Sequence, residues 1–111
     1  MSQHQPEKPA RVLRHVVLFS FKEGATLTQI QEIERTFADL PGQIETIYDF
    51  EWGTDVSVEQ LSQGFSHCFL VTFLTEAARD AYLPHPAHQA FVEKLRPHLE
   101  KALVIDYWAT R

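Results

Sequence analysis

Two prolines two residues apart, Pro84 and Pro86, bracket His85 in the run Tyr82-Leu83-Pro84-His85-Pro86-Ala87-His88. This stretch limits the backbone more sharply than anything else in the chain. Each proline locks its φ, lacks an N–H and biases the residue before it away from helix. A helix arriving from Ala77 is therefore expected to stop near Leu83. A second can open with Pro86 in its first position, where the missing N–H costs nothing. Tyr82 then stands in the last turn of one helix and His88 in the first turn of the next. The bend gathers a phenol and two imidazoles, those of His85 and His88, which a straight helix would spread over two turns.

The rest of the chain supplies alternating and helical patterns around this bend. Val12 to Phe21 is rich in β-branched and aromatic residues and reads as a strand. It carries His15, Val17, Phe19 and Phe21 on one face and Arg14, Val16, Leu18 and Ser20 on the other. Thr28-Gln29-Ile30-Gln31 fits a capping box, and Ile30, Ile33, Phe37 and Leu40 follow at helical spacing until Pro41-Gly42. Ile44 to Trp52 reads as the second strand. Gly53 to Gly64 reads as a polar connection with one helical turn near Val58 to Leu61. Phe65 to Leu74 is the third strand, with His67, Phe69, Val71 and Phe73 on one face and Cys68, Leu70 and Thr72 on the other. Thr75 caps a short helix. The helix after the bend places His88, Phe91, Leu95 and Leu99 on one face, and Pro97 kinks its end. Ala102 to Ala109 is the last strand.

The order strand, helix, strand, strand, helix, strand is that of an α+β, ferredoxin-like fold with a four-stranded antiparallel sheet backed by helices. Its first and third strands are central, and here those two are apolar on both faces. One face packs on the helices. The other holds Val16, Leu18, Cys68 and Leu70, with no further segment to cover it. An apolar sheet of that size is not a stable monomer surface. A homodimer packed through this face is expected.

A length of 111 residues suits one domain, read as residues 11–111, with a disordered tail over residues 1–10. A net charge of −5, with no basic run, argues against nucleic acid and anionic membranes as partners. No apolar run reaches membrane-spanning length. The single cysteine, Cys68, allows no internal disulfide and fits a cytoplasmic location.

The run Phe73 to His88, ending Tyr-x-x-His-Pro-Ala-His, resembles the stress-responsive α/β-barrel (Dabb) domain. The resemblance spans about residues 14 to 108. It includes Arg14-His15-Val16-Val17-Leu18-Phe19, Trp52-Gly53-x-Asp55-Val56 and Val104-Ile105-Asp106-Tyr107. It implies a barrel shared by two subunits. One plant branch of the family, olivetolic acid cyclase, closes a linear polyketide by an aldol-type reaction. Its catalytic pair matches His88 and Tyr82. Where that cyclase has a tyrosine this chain has Phe37, and Lys94 stands where an apolar wall residue is expected.

The residues themselves leave two readings of the bend open. Tyr82, His85 and His88 can be core and capping residues. Alternatively His88, inward-facing and at a helix start where the dipole disfavours imidazolium, is a neutral general base. Tyr82 would then hydrogen-bond a carbonyl oxygen and stabilise an enolate. His67 and His15 each begin a central strand on the helix face. His67 is the more favoured pocket residue, because it enters the sheet at the end where Tyr82 and His88 emerge. The resemblance implies that both line the cavity. Phe37, Phe69 and Phe91 are the expected apolar lining of a pocket for a small hydrophobic carbonyl compound.

No cofactor or metal is expected. Pro86 takes His85 off the helical face of His88, although some family members carry a bound cation. No Ser-His-Asp order, phosphate loop or dinucleotide fingerprint is present. Two functions follow, a cofactor-free cyclase or lyase and a non-catalytic stress-responsive or ligand-binding dimer. The size of the cavity left by Phe37, Phe69, Phe91 and Tyr82 separates them.

Overall fold

A computed structural model describes residues 9–110 of the chain. Strand β1 spans Arg11–Phe21, helix α1 Leu27–Ala38, strand β2 Asp49–Thr54 and strand β3 His67–Phe73. Helices α2 (Glu76–Tyr82) and α3 (Pro86–Leu95) follow, and strand β4 (Leu99–Thr110) ends the fold. Short 3-10 turns occupy Leu40–Gly42 and Arg96–His98, the latter at Pro97. The sheet order is β2-β3-β1-β4, antiparallel throughout, so β1 and β3 are central as expected. The tail expected over residues 1–10 lies, apart from Pro9 and Ala10, outside the described residues.

One sheet face is the core. Leu13, Val17 and Phe19 of β1 and Phe69, Val71 and Phe73 of β3 pack under Ile33 and Phe37 of α1 and Phe91 and Leu95 of α3. Each such side chain contributes about 1.5–3 kcal/mol on burial. Along the other face Leu18 lies between Cys68 and Leu103, and Val16 between Leu70 and Ile105. This strip of apolar side chains stays partly or fully exposed in the single chain.

Four local expectations are corrected. The capping box of α1 is built by Thr26 and Gln29, not by Thr28, and the helix starts at Leu27. Residues 44–48 are not strand. The N–H groups of Gln43 and Ile44 both return to the Leu40 carbonyl, which tucks Ile44 into the core and delays β2 to Asp49. No helical turn forms near residues 58–61; instead Gln60, Gln63 and Gly64 take left-handed φ values of 60°, 56° and 85°. Finally, β4 begins at Leu99, before Ala102, because Phe21 already pairs with Leu99.

Candidate functional site

The bend between α2 and α3 forms as the prolines dictate. Thr75 caps α2 by accepting from the Ala78 N–H, and α2 ends at Tyr82. His85 caps α3, its Nδ1 accepting from the Ala87 N–H at 3.0 Å, with Pro86 in the first helical position. That role turns His85 away from Tyr82. It borders a separate cleft formed with residues 43–46 and Ala81. The second imidazole beside the phenol is therefore His15, not His85.

Tyr82 lies between two imidazoles, 4.4 Å from the His88 ring and 5.8 Å from the His15 ring, centroid to centroid. All three line one cavity of about 400 Å³ between α3 and the β1–β4 half of the sheet. Phe19, Phe37 and Phe91 supply apolar walls, and Ala102, Val104 and Asp106 of β4 border it on the sheet edge. The cavity falls within the volume range of small-molecule sites.

The proton positions on the imidazoles follow from their partners. His88 Nδ1 lies 2.9 Å from the Leu83 carbonyl oxygen. A carbonyl can only accept, so Nδ1 carries the proton and, in the neutral ring, Nε2 keeps its lone pair. Burial lowers the His88 pKa, the Leu83 hydrogen bond partly opposes this, and the charges of His15 and His85 add smaller lowering effects. The ring is neutral at pH 7. His15 Nδ1 lies 2.7 Å from Asp106 Oδ1, its register partner on β4. An ionised Asp106 accepts, so His15 Nδ1 carries a proton, and in the neutral ring Nε2 is the acceptor. The other Asp106 oxygen accepts from Arg79 at 3.1 Å.

Tyr82 is fully buried, and its hydroxyl has no hydrogen-bond partner among the described residues. Burial raises the phenol pKa far above its ordinary range. Tyr82 is thus a hydrogen-bond donor at any physiological pH, never a phenolate base.

The other expected site residues divide. Phe37 and Phe91 face the cavity, their ring centroids 4.5 Å apart. Phe69 stacks behind Phe37 at 4.3 Å and belongs to the core, not to the cavity lining. His67 sits at the other end of the sheet, opposite Phe19 in register. There it pairs with Glu34 at 2.7 Å, so its expected preference over His15 is reversed. Lys94 is partly exposed and joins α3 to α1 through Glu32 at 2.9 Å, away from the cavity. Asp106, Arg79 and the Leu83 carbonyl were not anticipated. A carboxylate on the helix-facing side of β4, in line with Ala102 and Val104, is the signal that points to Asp106.

Among the described residues no group of three or more His, Cys, Asp or Glu is placed to hold a metal ion. No helix among them is long and apolar enough to cross a membrane.

Comparison with known proteins places this geometry in context. The family model described as the stress responsive A/B barrel domain matches residues 13–109. The stress-response A/B barrel domain-containing protein HS1 of Arabidopsis thaliana is 43% identical over 98 residues, 88% of this chain and 90% of that protein. Olivetolic acid cyclase of Cannabis sativa is 33% identical over 95 residues, 86% of this chain and 94% of the enzyme. Among solved structures, the hydroxynitrile lyase of Passiflora edulis superposes with a TM-score of 0.85 at 27% identity, covering 93% of this chain and 97% of the lyase. A dimeric ferredoxin-like protein of unknown function from Jannaschia sp. CCS1 has a TM-score of 0.75 at 28% identity, covering 86% of this chain and 97% of its own. With the bend motif, the ferredoxin-like sheet and these matches in agreement, the chain belongs to the stress-responsive A/B barrel (Dabb) family.

Proposed function

We propose that this protein is a cofactor-free cyclase or lyase acting on a small carbonyl compound. The observation that carries the reading is the unprotonated Nε2 of His88 beside an open cavity of about 400 Å³. Four bulky aromatic side chains do not close that space. His88 takes a proton from the carbon next to a carbonyl, or from a hydroxyl on a carbon that also bears a leaving group such as cyanide. Tyr82 donates a hydrogen bond to the oxygen on which negative charge develops. The carbanion then attacks a second carbonyl of the same molecule, or the deprotonated alkoxide expels a leaving group. His15, held by Asp106 and Arg79, returns or relays the proton at the opposite side of Tyr82.

A relative that is a cyclase and a structural neighbour that is a lyase support this class of chemistry. Both reactions need one base and one oxygen-stabilising donor, which this cavity offers. A homodimer through Val16, Leu18, Cys68 and Leu70 accompanies the reading, supported by the apolar strip and by the dimeric structural neighbour. The test is turnover of a panel of poly-β-ketones, β-keto acids and cyanohydrins by the wild type and His88→Ala. Conversion by the wild type that His88→Ala abolishes is expected.

A second reading, a non-catalytic small-molecule-binding dimer, draws on the burial of the Tyr82 hydroxyl. A donor with no partner among the described residues is left for a bound ligand as well as for a transition state. Tight retention of a small carbonyl compound without conversion would select it.

A further inference from the structure

The Leu83 carbonyl stands at a point where the backbone leaves it unserved. Leu83 is the C-cap of α2, so its oxygen is one of the orphan acceptors at that helix end. The N–H four residues on, which would extend the helical ladder onto it, belongs to Ala87 and goes to His85 Nδ1 instead. The N–H groups of His85 and Gln89 go to the carbonyls of Tyr82 and His85. Pro84 and Pro86 have none to give. Two side chains supply donors in their place, His88 Nδ1 at 2.9 Å and Gln89 Nε2 at 2.8 Å. A carbonyl only accepts, so the Gln89 amide turns its nitrogen toward the bend.

Gln89 does not line the cavity. It is exposed on the flank of α3, next in sequence to the inward-facing His88. A carbonyl oxygen has two lone pairs. The imidazole takes one and the amide the other, so the carbonyl is held from both sides. With a single donor the peptide plane can swing about that one bond. Water then competes for the oxygen, because Leu83 is 39% exposed. His88 would lose the acceptor that keeps its proton on Nδ1. The proton would move to Nε2, the nitrogen that must be bare for His88 to act as a base.

We infer that Gln89 is a positioning residue for His88: by holding the Leu83 carbonyl, it fixes the imidazole tautomer that leaves Nε2 free. It acts without touching a substrate. Its consequence for turnover rests on His88 being the base proposed above, whereas its effect on the tautomer rests on hydrogen-bond geometry alone. A surface staple across the bend is the plainer role for such a side chain. That role would support stability and leave the tautomer as it is.

The experiment is NMR of the imidazole nitrogens in the full chain with isotope-labelled histidine, at about pH 8, where His88 is neutral. The His88 signals are assigned by their loss in His88→Ala. The wild type should show the Nδ1–H pattern at His88. Gln89→Met removes the donor and keeps the length of the side chain. It should move the ratio of Nδ1–H to Nε2–H about two- to tenfold toward Nε2–H, the range expected for one hydrogen bond. His15, held by Asp106, should keep its wild-type pattern and serves as the internal control. An unchanged His88 pattern in Gln89→Met, with or without a lower melting temperature, overturns the inference. Should that variant fail to fold, Gln89→Ala is read in the same way. Failure of the base reading would show separately, as exchange of a 1,3-dicarbonyl probe that His88→Ala leaves unchanged, and a shifted tautomer in Gln89→Met would stand beside it.

Discussion

Across the bend between α2 and α3 the rings of Tyr82 and His88 lie 4.4 Å apart and inclined at 43°. The backbone creates this relationship. Leu83 caps the end of α2, Pro86 begins α3, and the Leu83 carbonyl accepts from both His88 Nδ1 and Gln89 Nε2. A single carbonyl at the bend thus sets the tautomer of the base. A test of the bend is Pro86→Ala. His85 still caps α3, so stability should change by no more than about 1 kcal/mol. Ligand affinity should fall further, because the angle between the helices is no longer fixed. Thermal melts beside calorimetric titration of a cavity ligand measure both. A loss of several kcal/mol with ligand binding intact would make the motif structural.

Tyr82→Phe separates chemistry from stability. The hydroxyl removed has no partner among the described residues, so its loss breaks no hydrogen bond among them. Stability should stay the same or rise, by about 1 kcal/mol at most, read as an unchanged or higher melting temperature. Turnover should drop about a hundredfold or more, as for loss of one oxyanion donor.

The pH dependence follows from His88. Burial depresses its folded-state pKa below the 6.5 of a free imidazole. Its contribution to stability is therefore fully present above pH 6.5 and is lost as pH falls through the lower, folded-state value. Activity should share that acid limb, with a midpoint below 6.5, because only the neutral ring accepts a proton. His88→Gln should flatten the stability limb in acid, which chemical denaturation at a series of pH values measures.

Much of this arrangement was legible in the sequence, and the misses have physical causes. Alternation along β1 and β3 separated the two faces of the sheet, and the two prolines set the bend. What one strand does not reveal is its register with another. His15 faces Val71, whereas His67 faces Phe19, so the two imidazoles lie at opposite ends of the core. The α2–α3 bend packs at the His15 end, and the roles expected of the two residues exchange. Ile44 read as strand because an apolar residue near Tyr48 and Phe50 extends an alternating pattern. A 3-10 turn at Leu40–Gly42 instead used it as an anchor. Asp106 was hidden because its meaning depends on β4 lying beside His15.

The exposed strip on the sheet predicts the behaviour of Leu18→Glu. A carboxylate placed between Cys68 and Leu103 would have no partner at a dimer interface. Burying it costs several kcal/mol, roughly 3 or more. Sedimentation should show monomers or unfolded chains for the variant and dimers for the wild type. An unchanged dimer would move the interface elsewhere.

The claim that His88 is a base facing an accessible cavity can be tested without knowing the natural substrate. A 1,3-dicarbonyl probe in deuterated water exchanges the hydrogens between its carbonyl groups, and NMR follows the rate. The wild type should accelerate this exchange. His88→Ala should reduce the acceleration by about a hundredfold or more, with the fold intact. Equal acceleration by the two proteins would contradict it.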